Sequence, residues 1–278
     1  MIEAAHRTGA DQTLLLFAGQ NSLPEVAPLL ATLRDLGVAC LGAVFPEVLS
    51  GRRRSRSGFV TASLDSCARP VLLQDGDLSE LTSVHSTVLS DRRHGDVTLM
   101  ALADADHLDV ARTMKRLHRQ FGNRCRYLGG GGGTYGETPT PCVFTAEHGC
   151  RAGALALGFI RGASAVHAGH GWQRAIGPVV ATRTVNSVIA ELNWRPAYDV
   201  YRQLIRQTTG DTIERMSFSD VGLKYPLGMI KEDSEDLVRV PLRVTEAGGL
   251  VVIGDVPAHS VLHIMSGRPD DLISAAAR

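Results

Sequence analysis

The sequence has no net charge and few aromatic residues. Its 29 Lys and Arg residues balance 29 Asp and Glu residues, and Phe, Trp and Tyr make up only 5% of the chain. Nucleic-acid-binding domains usually carry an excess of positive charge that attracts phosphates. The balanced composition excludes a domain of that kind, and we expect no nucleic acid among the partners.

The chain also lacks a long apolar run and any paired cysteine motif. A membrane-spanning helix needs about 20 apolar residues in succession, and no segment approaches that length. The first residues contain no apolar signal core. The five cysteines are odd in number and widely spread, which is not the pattern of a disulfide framework. These features predict no membrane insertion and a location in the reducing cytoplasm.

What the sequence does contain is an order of elements that occurs twice. The first copy is strand, helix, strand, turn and strand, at residues 13–18, 24–36, 38–44, 51–58 and 59–64. The second copy has the same order, at residues 97–103, 108–121, 124–128, 129–133 and 142–145. We interpret the similarity as an internal strand–helix–strand repeat. The predicted class is a mixed α/β fold, in which layered β-sheets are covered by helices.

The length and the distribution of strands predict two domains after a short tail. A chain of 278 residues can bury one large core or two. We expect residues 1–12 to be disordered, residues 13–209 to form the first domain and residues 210–278 to form the second. Four short strands make this last part strand-rich, at 225–230, 237–244, 249–253 and 261–265.

Five consecutive glycines, Gly129 to Gly133, follow a predicted strand. Gly131 to Gly136 has the spacing G-x-G-x-x-G, which in a dinucleotide site leads into a helix whose amides hold the pyrophosphate. Pro139 and Pro141 follow instead, and proline disfavours that helix. The run is either a turn beside a strand or a loop whose amides line a ligand pocket. Five glycines exceed what one turn needs, which favours the pocket.

Both tryptophans, Trp172 and Trp194, lie in a segment that also holds His167 and His170. The glycines around His170 argue against a helix on which the two histidines would share a metal ion. For His170 two interpretations stay open. It is a loop histidine held by backbone hydrogen bonds, or it contacts a ligand, with heme iron among the candidates.

The same segment continues into a predicted hairpin and helix. Gly177-Pro178 predicts a turn, and the β-rich runs 179–184 and 187–192 predict two strands. A helix is expected to start at Pro196. Its anchors on the sheet are expected to be Trp194, Tyr198, and Leu204 or Ile205.

Two charged clusters receive structural interpretations. Asp104, Asp106 and Asp109 resemble a divalent-metal cluster, but Asp106 is better explained as the N-cap of the helix that follows. The arginines between Arg52 and Arg56 are expected to form a solvated loop rather than an anion site.

The central segment resembles the FIST family (F-box and intracellular signal transduction domains). The matching residues are HGWQRAIGPVVATRT and VIAELNWRPAYDVY, which contain the Gly-Pro, Val-x-x-Thr and Glu-Leu-x-x-x-Pro-Ala elements of the family pattern. Further matches at 225–228, 237–239 and 254–257 are similar to the opening of the family's C-terminal domain. The matches extend over roughly the whole chain after the N-terminal tail.

The resemblance implies a cytoplasmic sensor that binds a small molecule, such as an amino acid, and signals to a partner. We expect the glycine loop and the loop of His167 to Trp172 to lie side by side at one rim of a sheet. The candidate ligand-binding residues are His167, His170, Trp172, Arg174, Gly131, Gly132, Gly133, Thr134 and Glu47.

One bacterial branch of the family binds heme, senses nitric oxide and works beside histidine kinases or cyclic-di-GMP enzymes. Resemblance to that branch makes heme the candidate cofactor and His170 its axial ligand, although few rings are available to enclose a porphyrin. The implied signalling partners are a histidine kinase, a cyclic-di-GMP enzyme or a chemoreceptor. No enzymatic activity is predicted.

Other functional classes stay open. An enzyme would use Glu47, Glu191 or His170 as acid or base, whereas a pure interaction scaffold would have no polar pocket. The family's C-terminal domain continues beyond the position of Asp270, whereas this sequence ends at Arg278. A sheet that ends there exposes an edge, which favours a homodimer.

Overall fold

The fold is described from a computed structural model. It describes residues 12–65, 67, 69–74, 77, 81, 97–105, 107–135, 138–162, 164–213, 218–231 and 235–277. The chain divides into two compact units, Met1–Val166 (unit 1) and His167–Arg278 (unit 2). The expected disordered tail lies outside the described residues except for Gln12, which begins the first strand. The expected domain boundary near residue 210 stays a prediction.

In its described residues, unit 1 has eleven strands and two α-helices with defined bounds. In chain order these are β1 (Gln12–Gly19), α1 (Leu23–Asp35), β2 (Ala39–Phe45), β3 (Val48–Ser50), β4 (Arg53–Ser55), β5 (Phe59–Asp65), β6 (Val71–Gln74), β7 (Val97–Asp104), α2 (Val110–Phe121), β8 (Cys125–Gly132), β9 (Val143–Thr145), β10 (Gly149–Arg151) and β11 (Ala154–Arg161). Short 3₁₀ turns at Gln20–Ser22 and Gly122–Arg124 precede α1 and β8.

The predicted strand–helix–strand repeat is confirmed. β1 and β2 are parallel and joined by α1, and β7 and β8 are parallel and joined by α2. Further strands pair with each parallel pair in antiparallel orientation. The larger sheet has the order β10-β9-β2-β1-β5, and the smaller one has the order β6-β11-β7-β8.

The two sheets of unit 1 are covered by one helix each. One apolar cluster joins α1, the larger sheet and one face of the smaller sheet, through residues such as Leu30, Leu41 and Leu102. A second cluster lies between the other face of the smaller sheet and α2, through Leu99, Leu117 and Phe121. These contacts give four layers, helix, sheet, sheet and helix, as the mixed α/β prediction requires.

Unit 2 is richer in strands. Its elements are β12 (Gln173–Val185), β13 (Val188–Leu192), β14 (Arg195–Pro196), α3 (Ala197–Thr209), α4 (Phe218–Lys224), β15 (Leu227–Met229), β16 (Leu237–Arg239), β17 (Pro241–Val244), β18 (Leu250–Val252), β19 (Val261–Ser266) and α5 (Pro269–Ala276). The strands form a nearly closed barrel-like sheet in the order β16-β15-β19-β12-β13-β18-β17, and β14 pairs with β13. β12 pairs with β19 along its first half and with β13 along its second.

Helix α3 packs on the sheet of unit 2 as predicted, but one of its expected anchors is wrong. Tyr198, Tyr201 and Ile205 are buried against the sheet, whereas Trp194 is 79% exposed. Asn193 and Trp194 both have positive φ, at 49° and 61°. They form the tight turn between β13 and β14, and this turn places the indole outside the core.

Three local predictions also need correction. Gly129 to Gly132 belong to β8 rather than to a turn. Gly177-Pro178 lies inside β12, where the pairing with β19 is irregular. The N-cap of α2 is Asp109, whose carboxylate accepts a hydrogen bond from the Arg112 amide, so the helix begins two residues later than expected. Asp106 lies outside the described residues.

Within the described part of the chain, no helix has both the length and the apolar character needed to cross a membrane.

The buried hydroxyl of Tyr201 gives a test of the unit 2 core. It donates a 2.6 Å hydrogen bond to the Tyr225 carbonyl, and Tyr201→Phe leaves this carbonyl without that donor. We expect a loss of about 1–3 kcal/mol in unfolding free energy. Denaturant unfolding followed by tryptophan fluorescence reports on unit 2, because both tryptophans lie there.

The matched control for this test is Tyr225→Phe. It removes a hydroxyl that donates to the partly exposed Asp211 carboxylate, and a loss below about 1 kcal/mol is expected. Equal losses for the two variants would contradict the role given to Tyr201.

Candidate ligand-binding site

The carboxyl ends of both parallel strand pairs meet at one end of unit 1. The Val44 amide, near the end of β2, donates to the Cys142 carbonyl at 2.7 Å, and the Cys142 thiol donates to Asp104 at the end of β7. The Gly133 amide, just after β8, donates to the Val44 carbonyl at 3.0 Å. Ligands of α/β proteins commonly bind at the carboxyl ends of parallel strands, so this edge of unit 1 is the candidate site.

Asp104 fixes this edge. Its side chain is fully buried, and it accepts from the Cys142 thiol (3.5 Å), the Gly153 amide (3.0 Å) and His107 Nδ1 (2.8 Å). A carboxylate only accepts hydrogen bonds, so three chain segments converge on one acceptor group. The metal interpretation of Asp104 and Asp109 gains no support, because no group of three potential metal ligands occurs among the described residues.

The glycine segment crosses from the smaller sheet to the larger one. A Cβ at Gly132 would lie 3.0–3.2 Å from atoms of Ala43, Val44 and Cys142, so a larger residue would require these neighbours to shift. Beyond Gly133 and Thr134, the Tyr135 amide donates to Gln20 Oε1 at 2.8 Å. The next described element is strand β9 and not a helix, which agrees with the exclusion of a dinucleotide site.

Glu47 lies beside this crossing, two residues after β2. Its carboxylate contacts Arg54 Nε at 3.0 Å and Arg56 Nε at 3.4 Å. The Arg56 guanidinium also lies over the Tyr135 ring, 5.8 Å from its centre. The structure therefore links Glu47, through Arg56, to Tyr135 just beyond the glycines. Arg54 and Arg56 stay exposed, as expected for a solvated segment, but they belong to the β3–β4 hairpin and form ion pairs with Glu47.

This edge presents charges of both signs around a backbone crossing without bulky side chains. The arginines match a carboxylate or phosphate, and Glu47 matches an ammonium group. Sequence analysis missed Gln20 and Tyr135, and it assigned Arg54 and Arg56 to a solvated loop rather than to the site. For Gln20 and Arg56 a usable signal exists, since Gln20 lies two residues after the predicted strand 13–18 and Arg56 three residues before the predicted strand 59–64.

The other predicted site residues lie in unit 2, and there His170 is held by hydrogen bonds. Its amide donates to Glu235 Oε2 at 2.9 Å, and its Nδ1 accepts from the Trp172 amide at 3.0 Å. Since Nδ1 accepts, Nε2 carries the proton and donates to the Asp236 carbonyl at 3.0 Å. His167, three residues earlier, is exposed.

Arg174 forms the strongest polar contact of this loop. Its Nε and Nη2 donate to the two carboxylate oxygens of Asp236 at 2.7 and 2.6 Å, and the Asp236 side chain is only 3% exposed. These hydrogen bonds and the positive charge of Arg174 lower the pKa of Asp236 below its ordinary value.

Helix α5 packs against the same loop. A side chain at Gly171 would lie 2.6–3.0 Å from atoms of Asp271, Leu272 and Ala275. Gly267 is similarly close to Leu272 and to Trp172. We name the set of His170, Gly171, Trp172, Arg174, Glu235 and Asp236 the His170 clasp. It ties the start of unit 2 to β16 and to α5.

The His170 clasp does not fit an axial heme ligand. Both ring nitrogens already have hydrogen-bond partners, so iron coordination requires breaking one of these bonds. The glycine segment belongs to unit 1 and the His170 loop to unit 2, and the proximity of the two loops stays a prediction.

Comparison with known families gives two adjacent matches. The model of the FIST N domain matches residues 12–195, and the model of the FIST C domain matches residues 197–278. Neither the curated proteins nor the solved structures give a match.

The hydrogen bonds of His170 predict a stability effect. His170→Ala removes both ring contacts of the clasp, and we expect a loss of about 1–3 kcal/mol in the unfolding free energy of unit 2. The exposed His167 serves as control, and His167→Ala is expected to change stability by less than about 0.5 kcal/mol. Denaturant midpoints followed by tryptophan fluorescence provide the comparison. A His170→Ala midpoint equal to that of wild type would show that the clasp contributes nothing.

The lowered pKa of Asp236 predicts how its contribution depends on pH. A carboxylate whose pKa is lower in the folded chain stabilises the fold above the unfolded-state pKa of about 3.9, and the gain disappears as pH falls toward the folded-state pKa. We expect Asp236→Asn to cost about 1–3 kcal/mol at neutral pH. The difference in unfolding free energy between variant and wild type should become smaller below about pH 4.

Denaturant unfolding of unit 2 between neutral pH and pH 3 measures this gap. The exposed Glu246 offers a control, since Glu246→Gln removes a surface carboxylate that lies outside the clasp. A gap between Asp236→Asn and wild type that is the same at pH 3 and at pH 7 would contradict the proposed linkage.

Proposed function

The chain belongs to the FIST family, whose domains generally act as sensors in signal transduction, and we propose that it senses a small zwitterionic ligand at the carboxyl edge of unit 1. The supporting observation is the arrangement of Glu47, Arg54 and Arg56 beside the glycine segment that ends at Tyr135. Free amino acids combine the two charged groups that this edge complements.

In this proposal the ligand replaces the internal ion pairs of Glu47. Its carboxylate takes the place of the Glu47 carboxylate on Arg56, and its ammonium group binds Glu47. The backbone between Gly132 and Tyr135 borders the site, so ligand binding shifts or orders the crossing between the two sheets. The signal then passes to a histidine kinase, a cyclic-di-GMP enzyme or a chemoreceptor.

The remaining alternatives have weaker support. The acid/base hypothesis needs a poised carboxylate beside a histidine, but the pKa of Asp236 is lowered, which makes it a poorer base at neutral pH. Glu191 is engaged by Arg183 across the β12–β13 hairpin at 2.9–3.0 Å. The heme hypothesis meets the occupied nitrogens of His170 described above.

Ligand screening by thermal unfolding tests the proposed function. We expect one or more amino acids to raise the melting temperature, whereas the matching amides and amines, which lack the carboxylate, do not. Arg56→Gln should weaken binding in calorimetric titration by roughly tenfold or more, since a hydrogen bond to a charged group contributes about 1.5–3 kcal/mol.

Arg53→Gln provides the matched control, because Arg53 is exposed on the same hairpin and carries the same charge. Binding by this variant should equal that of wild type. If Arg53→Gln and Arg56→Gln weaken binding equally, the ligand responds to general charge and not to the site at Glu47. If no amino acid shifts the melting temperature at millimolar concentration, the zwitterion proposal is wrong.

A further inference from the structure

A groove in unit 1, separate from the edge at Glu47, lies between strand β8 and helix α2. We name it the β8–α2 groove. It is open to solvent on one side, has a volume of about 260 Å³ and is lined by Ala101, Ala103, Val110, Met114, Tyr127, Leu128, Gly129, Gly130 and Gly131. The cavity exists because small residues on β7 and β8 lie opposite the start of the helix. Farther along the helix, Leu117 and Phe121 fill the same layer. A dry apolar cavity of roughly 150 Å³ already accommodates benzene, so this one is large enough for an apolar side chain.

The strand that borders the groove is the outermost described strand of the smaller sheet. Among the described residues, β8 pairs only with β7, on one side. Leu128 is 45% exposed, and Gly129 to Gly131 are exposed as well. Proteins usually protect such edges with lysine, proline or bulges. Here the last residues of the strand are glycines, which leave the backbone accessible to another strand.

The stretch of sequence that borders the groove is rich in basic residues. From Val110 to Gly136 the sequence contains six Lys and Arg residues and no Asp or Glu, although the whole chain is neutral. Met114 lines the cavity and His118 contacts the Tyr127 ring at 5.6 Å, so this side of the helix faces β8. Lys115 and Arg119 follow these residues by one position and therefore lie next to them around the helix.

We propose that the β8–α2 groove binds an acidic, extended peptide segment of a partner protein, which adds as a strand to the edge of β8. The glycine backbone supplies the hydrogen bonds of strand addition, a recurrent mode of peptide recognition. Side chains of a strand alternate between its two faces. One apolar side chain of the peptide enters the cavity, and acidic side chains two positions away meet Lys115 and Arg119.

This proposal uses none of the residues assigned to the zwitterionic ligand, and it does not rest on the proposed function. A variant that loses amino acid binding should still bind the peptide, and a variant that loses peptide binding should still bind the amino acid. The charge of the rim selects an acidic peptide over a basic one. A single-stranded nucleic acid shares the negative charge, but it has no backbone that pairs with β8 and no aliphatic anchor for the cavity.

Fluorescence anisotropy with short labelled peptides tests the proposal on the full chain. The probe has a glutamate two positions to either side of a central leucine, and its matched counterparts carry lysines in place of the glutamates, or glycine in place of the leucine. We expect binding of the first peptide only, with an affinity that falls as salt is added. Hydrogen exchange of wild type should slow at residues 128–131 when the first peptide is bound.

Two arginines of α2 offer a matched pair of variants. Arg119→Glu changes a charge at the exposed surface of the helix, next to His118 on the β8 side, and should weaken binding by roughly tenfold or more. Arg116→Glu makes the same charge change on the opposite flank and should leave binding unchanged. Ala103→Leu fills the cavity and should also weaken binding. Circular dichroism verifies that each variant is folded.

Several results would overturn the proposal. They are absence of binding at high micromolar peptide, equal binding of the lysine peptide, equal loss in Arg116→Glu and Arg119→Glu, or unchanged exchange at residues 128–131. A labelled single-stranded oligonucleotide that binds more tightly than the glutamate peptide would identify the rim as a general polyanion surface, which also contradicts strand addition. The exchange measurement needs no variant, so the test stands even where a substitution disturbs folding.

Discussion

The buried carboxylate of Asp104 is the interaction on which the carboxyl edge of unit 1 depends. It ends the central strand β7 and accepts hydrogen bonds from Cys142, Gly153 and His107. Burying an ionisable group without such partners costs several kcal/mol, so the three segments are held where these donors meet it. The Cys142 carbonyl then fixes the end of β2, and the Val44 carbonyl fixes Gly133. The position of the glycine crossing next to the end of β2 therefore depends on the Asp104 carboxylate.

Unit 2 relies on a buried carboxylate as well, but with a different donor. Asp236 is held by the forked guanidinium of Arg174, and its own carbonyl holds His170. The planar guanidinium matches both carboxylate oxygens at once. The contact is sensitive to pH, since protonation of the Asp236 carboxyl group removes the ion pair with Arg174. The residues that looked most like a ligand site in the sequence thus also hold the start of unit 2 in place.

The elements of the fold were predictable because they depend on local patterns. The apolar periodicity of α1 and α2 and the β-rich runs of β1, β2 and β7 are visible in short windows. The contacts of the candidate site are not local. Tyr135 and Gln20 are 115 positions apart, and Asp104 is 38 and 49 positions from Cys142 and Gly153. No spacing rule connects side chains that only the packing of two sheets brings together.

Two errors of prediction have a common cause, which is that residue type was weighed without the backbone around it. Trp194 was expected in the core because tryptophan is large and apolar, yet the turn with Asn193 carries it outward. The glycines after Leu128 were expected to leave the sheet, yet parallel pairing with β7 continues to Gly132. Tertiary pairing overrides the low strand propensity of glycine in this case.

The glycine end of β8 has a consequence for how the smaller sheet assembles. In most strands a shift by one residue is costly, because it moves every side chain to the wrong face. Gly129 to Gly132 have no side chains, so this stretch cannot distinguish the correct alignment with β7 from a slipped one. The alignment must be set upstream, where Cys125 is buried and the Tyr127 hydroxyl donates to the Gly122 carbonyl at 2.7 Å. The correct register of the glycine segment against β7 therefore depends on Cys125 and Tyr127, near the start of the strand.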